Sequence, residues 1–203
     1  MALRLFGAAC LVIAGQEYAA LGVYRAVDLE AYLEAVRWHA VFSLAAPVAI
    51  LWFIALYTRM AARWLLWIYS GIAATVIVLN LASPATMHFS DLIEVGGVAL
   101  PWGERLTQAT AIPSRWPPLA DYLIIVFGGL CAYALWTDSG RSGGGSRAPL
   151  EAGLAFLIAT IAVELLDPRR VSALPVDEFG FFAFVIVLGF GLRQDLVDGP
   201  YRR

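Results

Sequence analysis

The sequence predicts an all-α integral membrane protein: a bundle of about six transmembrane helices with a structured extracytoplasmic loop that carries a β-hairpin. Three observations lead there. Apolar residues make up 61% of 203 positions and charged residues only 15%, whereas a soluble domain is about half apolar and a quarter charged. Mean hydropathy is +0.74. The apolar residues also gather into runs of bilayer-crossing length, which separates a membrane protein from a soluble one with a large core.

The spans read in order as 3–24, 38–58, 64–83, 119–136, 148–166 and 179–192. Most match an apolar thickness of roughly 30 Å at about 1.5 Å per residue. The segment Leu29-Glu30-Ala31-Tyr32-Leu33-Glu34 is rich in helix formers and extends the second helix outward, and Pro47 predicts a kink inside it. Tyr57, Trp64, Trp67 and Tyr69 flank the next turn as an interfacial aromatic belt does. The longest less apolar segment, 84–118, holds Gly96-Gly97 between two short apolar runs, a hairpin signal. Ser142-Gly143-Gly144-Gly145-Ser146 is a flexible tether. Residues 1–195 read as one membrane-embedded domain and 196–203 as a cytoplasmic tail.

Six spans put both termini on one side. With that side cytoplasmic, Arg4, Arg59, Arg63, Arg141, Arg147, Arg193, Arg202 and Arg203 lie inside, on segments much shorter than the outer ones. Basic density therefore favours a bacterial inner membrane protein with cytoplasmic termini. A net charge of −2 speaks against a broadly basic nucleic-acid surface.

In this topology the ionisable residues fall toward the outer ends of the helices. Glu17, His39, Asn80, Asp121, Glu164 and Glu178 all lie there, while the cytoplasmic halves hold little beyond Glu151. Intramembrane polar groups are costly and usually face a bundle interior or a water-filled cavity. Asp121 and Glu178 also suit helix N-termini, where the dipole favours carboxylates. Asn80 also suits a hydrogen-bonded bridge between helices, and His39 an interfacial position. Glu17 and Glu164 have no such bland role, which makes them the core of a candidate ligand pocket with His39 or Arg37 as partner.

Other chemistries find little support. There is no GxSxG, no serine with a plausible histidine partner and no paired-aspartate phosphate motif, so no catalytic residue is assigned and no enzyme is expected. His39 and His88 are the only histidines and lack a metal- or haem-ligand spacing, so neither metal nor cofactor is expected. Cys10 and Cys131 sit in apolar stretches as small hydrophobes. The alternative function is a small transporter or proton-coupled carrier using Glu17 and Glu164, against which the nearly dry inner half weighs.

Five segments recur together in a known arrangement: Arg37-Trp38-His39, Leu56-Tyr57-Thr58 before an arginine turn, Leu79-Asn80-Leu81-Ala82-Ser83-Pro84, Leu100-Pro101-Trp102-Gly103-Glu104, and Glu178-Phe179-Gly180-Phe181. Together they resemble the seven-helix membrane input region of bacterial sensor histidine kinases and related PAS- or GGDEF-containing signalling proteins, over about residues 15 to 195. The resemblance implies a sensor that binds an outer-face or membrane-borne ligand and relays a helix movement through Arg193-Gln194-Asp195-Leu196 to a cytoplasmic signalling protein or within a homodimer. Compared with that family, the expectation is a chain that lacks the first helix and the output domain, whether as a fragment, a mis-started gene product or a stand-alone module that acts through a partner. Trp102 and Glu104, in a loop long enough to reach the pocket, complete the candidate ligand-binding set.

Overall fold

The computed structural model describes residues 2–84, 86, 89–99, 103, 105–113, 117–138, 147–166 and 176–198. In chain order these form α1 (Ala2–Arg25), α2 (Leu29–Tyr57), α3 (Arg63–Ala82), β1 (Phe89–Ala99), β2 (Arg105–Pro113), α4 (Pro117–Asp138), α5 (Arg147–Leu166) and α6 (Val176–Asp198). The chain is mostly helical, and the helices follow the apolar runs of the sequence because an apolar helix satisfies its own backbone without water. Three helical stretches, Arg4–Arg25, Leu29–Tyr57 and Arg63–Ala82, are long and apolar enough to cross a membrane. Among the described residues the apolar parts of the other three are shorter, at Tyr122–Thr137, Ala148–Val163 and Phe179–Gly191.

The second helix begins at Leu29, well before the span predicted from Trp38. Its start is set by Asp28, whose Oδ1 accepts a hydrogen bond of 2.8 Å from the Ala31 amide, while Glu30 adds a carboxylate to the first turn. That is how an aspartate caps a helix N-terminus. The helix runs on through the buried Pro47 to Tyr57. At the other end of the chain α6 extends to Asp198, so the first residues of the segment read as a tail are helical.

The loop after α3 does contain an antiparallel hairpin, but its turn is not at Gly96-Gly97. Both glycines lie inside β1, opposite Gln108 and Thr107, and the ladder closes at Ala99↔Arg105. The connection lies within 100–104, where Gly103 has φ 94°, a conformation that favours glycine. Irregular register at Phe89/Asp91 and Leu92/Glu94 marks bulges in β1.

The described chain divides into two compact units, 1–57 with 61–127, and 58–60 with 128–203. In the first unit α1 and α2 form an antiparallel pair and α3 packs on α2. The pair is close: a Cβ on Gly15 would stand 2.7 Å from the Phe42 ring, and one on Gly22 3.2 Å from Ala35 Cβ. Trp52 on α2 donates its indole N–H to Ser70 Oγ on α3 at 3.0 Å and meets Trp67 edge-on at 5.0 Å. Trp64 and Trp67 are exposed, as a membrane-interface belt requires, but Tyr69 is buried in the packing of α3 and does not belong to that belt. Ile68, Ile72 and Val78 of α3 are exposed too.

In the second unit α5 and α6 pack antiparallel through glycines. Gly153 faces Phe184, Gly180 sits directly against the Thr160 hydroxyl, and Gly191 lies on Pro149. Small residues at such crossings let two helix backbones approach closely.

Candidate functional site

The site is best built from the α1–α2 pair. Val23 on α1 packs against the buried cluster of Ala26, Tyr32 and Val36, where Leu33 and Phe89 also sit. Seven residues are close to two helical turns. Gln16 therefore repeats the position of Val23 two turns deeper on α1, and Ser43 repeats that of Val36 on α2. The Gly15–Phe42 and Gly22–Ala35 approaches carry the same antiparallel register. Gln16 lies nine residues before Arg25, about 13 Å along the axis, which is near the middle of the 22-residue apolar stretch. It is 0% exposed.

Glu17 and His39 fall around this level. His39 is half-buried, one turn before Ser43 on the same face of α2. Glu17 is half-buried and follows Gln16 on α1, about 100° further round the helix. The structure thus puts Glu17 and His39 near one level of one helix pair, on neighbouring helices.

Asn80 is 1% exposed and reaches across to α2, where its Nδ2 donates to the Arg37 carbonyl at 3.1 Å. In return the Arg37 guanidinium donates through Nη2 to the carbonyls of Ser83 and Pro84, both at 3.1 Å. Those carbonyls follow the last turn of α3, where helix acceptors lack intrahelical donors. Asn80 and Arg37 therefore form a reciprocal clamp between α2 and the end of α3. Here the role weighed for Asn80 as a bridge between helices has a concrete geometry.

The clamp connects to the hairpin. Phe89, the first residue of β1, packs on the Ala26–Tyr32–Val36 cluster. Thr107 of β2 donates its hydroxyl to the Ala26 carbonyl at 2.8 Å. The hairpin is thus tied by one strand to α2 and by the other to the connection between α1 and α2. Ile93, Glu94 and Ile112 are left exposed on it.

Asp121 is in the first turns of α4, and its side chain, like those of Glu164 and Glu178, lies outside the described residues. Glu164 and Glu178 belong to the second unit, at one end of the α5–α6 pair. Trp102 and Glu104, proposed to complete the ligand-binding set, also lie outside the described residues. So does His88. Among the described residues no group of three or more His, Cys, Asp or Glu gathers as a metal would need.

Sequence reasoning passed over Gln16 and Ser43. The Gln16 amide, at both Oε1 and Nε2, and the Ser43 hydroxyl are enclosed without a hydrogen-bond partner. A neutral amide in an apolar run raises no charge flag; only the register between α1 and α2 singles it out.

No family model, no curated protein and no solved structure matches this chain. What the fold defines is a mostly helical chain with three helices long and apolar enough to cross a membrane and a β-hairpin docked on one end of a helix pair.

Proposed function

We propose that the chain is a six-span sensory module of the bacterial inner membrane that takes an extracytoplasmic or membrane-borne ligand and relays its presence to a cytoplasmic signalling partner. The observation that carries this reading is the double tie of the hairpin. Through Thr107 on Ala26 and Phe89 on the Tyr32–Val36 cluster, anything that moves the hairpin pulls on the connection between α1 and α2. The Arg37–Asn80 clamp extends that link to α3. The half-buried Glu17 and His39, nearer the hairpin end of the pair than its far end, supply polar groups for a ligand, as intramembrane ionisable residues usually do. The sequence likeness to sensor-kinase input regions points the same way.

The carrier reading predicts a different outcome in one experiment. The purified chain is reconstituted in liposomes and proton flux is followed with an enclosed pH dye. A receptor leaves the vesicles as tight as empty ones. Flux that disappears in Glu17→Gln and Glu164→Gln replaces the receptor with a carrier. In parallel, residues 1–198 are fused to a histidine-kinase catalytic core. Autophosphorylation that changes when Thr107 is replaced by Val supports the relay, and a fusion indifferent to the hairpin tie removes its basis.

A further inference from the structure

We infer that Gln16 and Ser43 form a binding point, inside the α1–α2 pair, for an uncharged group bearing a hydroxyl. This deepens the receptor reading, on which it rests for its purpose, although its chemistry stands on the helix pair alone.

Two facing helices present unpartnered polar groups at one level. Gln16 is wholly enclosed, and neither end of its amide has a partner. The Ser43 hydroxyl is likewise enclosed and unpartnered, even by the α2 carbonyl one turn back that serines often use. Both lie one heptad from valines of the packed end of the pair: Val23, which packs on the Ala26–Tyr32–Val36 cluster, and Val36, which belongs to it. Side chains at such positions point into the pair, so the two groups share one interior space. Gly15 beside them brings the helices close, which limits the occupant there to a small group.

The chemistry of that group follows from the donor and acceptor inventory. The amide offers two donors and one acceptor, and the serine hydroxyl both donates and accepts. A hydroxyl can answer both residues at once, accepting from Nε2 while donating to Ser43 Oγ, or accepting from the Ser43 hydroxyl while donating to Oε1. An ion is disfavoured: neither group carries charge, and an ion in an apolar span is costly. Unpartnered amides buried in an apolar span favour occupancy strongly. The hydroxyl has two sources, water entering along the pair or the end group of a membrane-dissolved alcohol.

The test uses the whole chain in phosphatidylcholine nanodiscs with 15N-labelled glutamine side chains. Only Gln16, Gln108 and Gln194 contribute signals, and Gln16→Asn assigns the first. Through-space transfer from the Gln16 amide to water protons identifies water as the occupant. Transfer to the CH2OH protons of added 1-decanol identifies a bilayer alcohol. Either supports the site, provided that Ser43→Ala lowers the transfer about fivefold, the order of factor one hydrogen bond carries. Transfer to neither probe overturns the proposal, and so does transfer that Ser43→Ala leaves unchanged. Ser43→Ala removes only a hydroxyl and keeps the helix, so it is readable even where a Gln16 variant fails to fold. No signalling partner or flux enters these readouts, so failure here leaves the receptor reading to its own experiment.

Discussion

Arg37 and Asn80 hold each other across two helices. Asn80 donates its amide to the Arg37 main chain, while the Arg37 guanidinium takes the two carbonyls that follow the end of α3. One residue of α2 thus fixes both the last turn of α3 and the first step of the chain toward the hairpin.

Arg37→Ala should therefore cost more than a single exposed contact. Hydrogen bonds to charged groups contribute about 1.5–3 kcal/mol, and the Ser83 and Pro84 carbonyls would lose a shared charged donor. The expected result is a lower thermal midpoint in detergent and faster proteolysis between Ser83 and Phe89. Asn80→Leu should lower the midpoint by less, because the donor it takes from the Arg37 carbonyl is neutral rather than charged. Equal effects would mean that the two residues do not act as described.

Thr107→Val removes the tie to Ala26 without changing side-chain shape much. One neutral hydrogen bond contributes about 1 kcal/mol, so β2 amides should exchange with deuterium roughly fivefold faster when exchange proceeds by local opening. Amides of α3 should not change.

Gly180→Ala places a methyl group on the Thr160 hydroxyl. Overpacking of this kind typically costs about 1–3 kcal/mol, read as a loss of thermal stability. Thr160→Ala in the same chain should restore most of it, since the hydroxyl is the nearest obstacle and the remaining Cβ stands 3.0 Å away. A double variant as unstable as the single one would place the strain elsewhere.

Gly15→Ala should act the same way on the first unit, through the Phe42 ring at 2.7 Å. Phe42→Leu is expected to relieve it, because a ring can be replaced by a smaller flexible group. The check is the thermal midpoint of the two singles and the double.

Much of this architecture could be read from residues alone. Apolar runs place the six helices of the described residues, because an apolar helix carries its own hydrogen bonds, and three of them reach bilayer-crossing length. The hairpin was legible as an element but not in its register. Gly96-Gly97 is a strong local turn signal, yet β1 runs straight through it, and Gly103 five residues beyond Val98 sits at the turn. A turn signal cannot reveal how long the flanking strands continue. Glu17 and His39 stood out because charge in an apolar run is conspicuous. Gln16 did not, since a neutral amide is inconspicuous among apolar residues and its cost arises only when the folded helix pair encloses it without a partner. Asn80 could be read as a bridge, but its partner is a main-chain carbonyl, which no residue pattern encodes.

The three glycine seats of α5 and α6 carry a mechanical consequence. Gly153 on Phe184, Gly180 on Thr160 and Gly191 on Pro149 engage the pair near both ends and between them. Each is a projection resting in a notch, so an axial slip of even one residue would drive all three out of register together. A piston stroke of α6 past α5 is thereby blocked. Whatever thrust reaches α6 must carry α5 with it, and the two helices travel as one keyed rod.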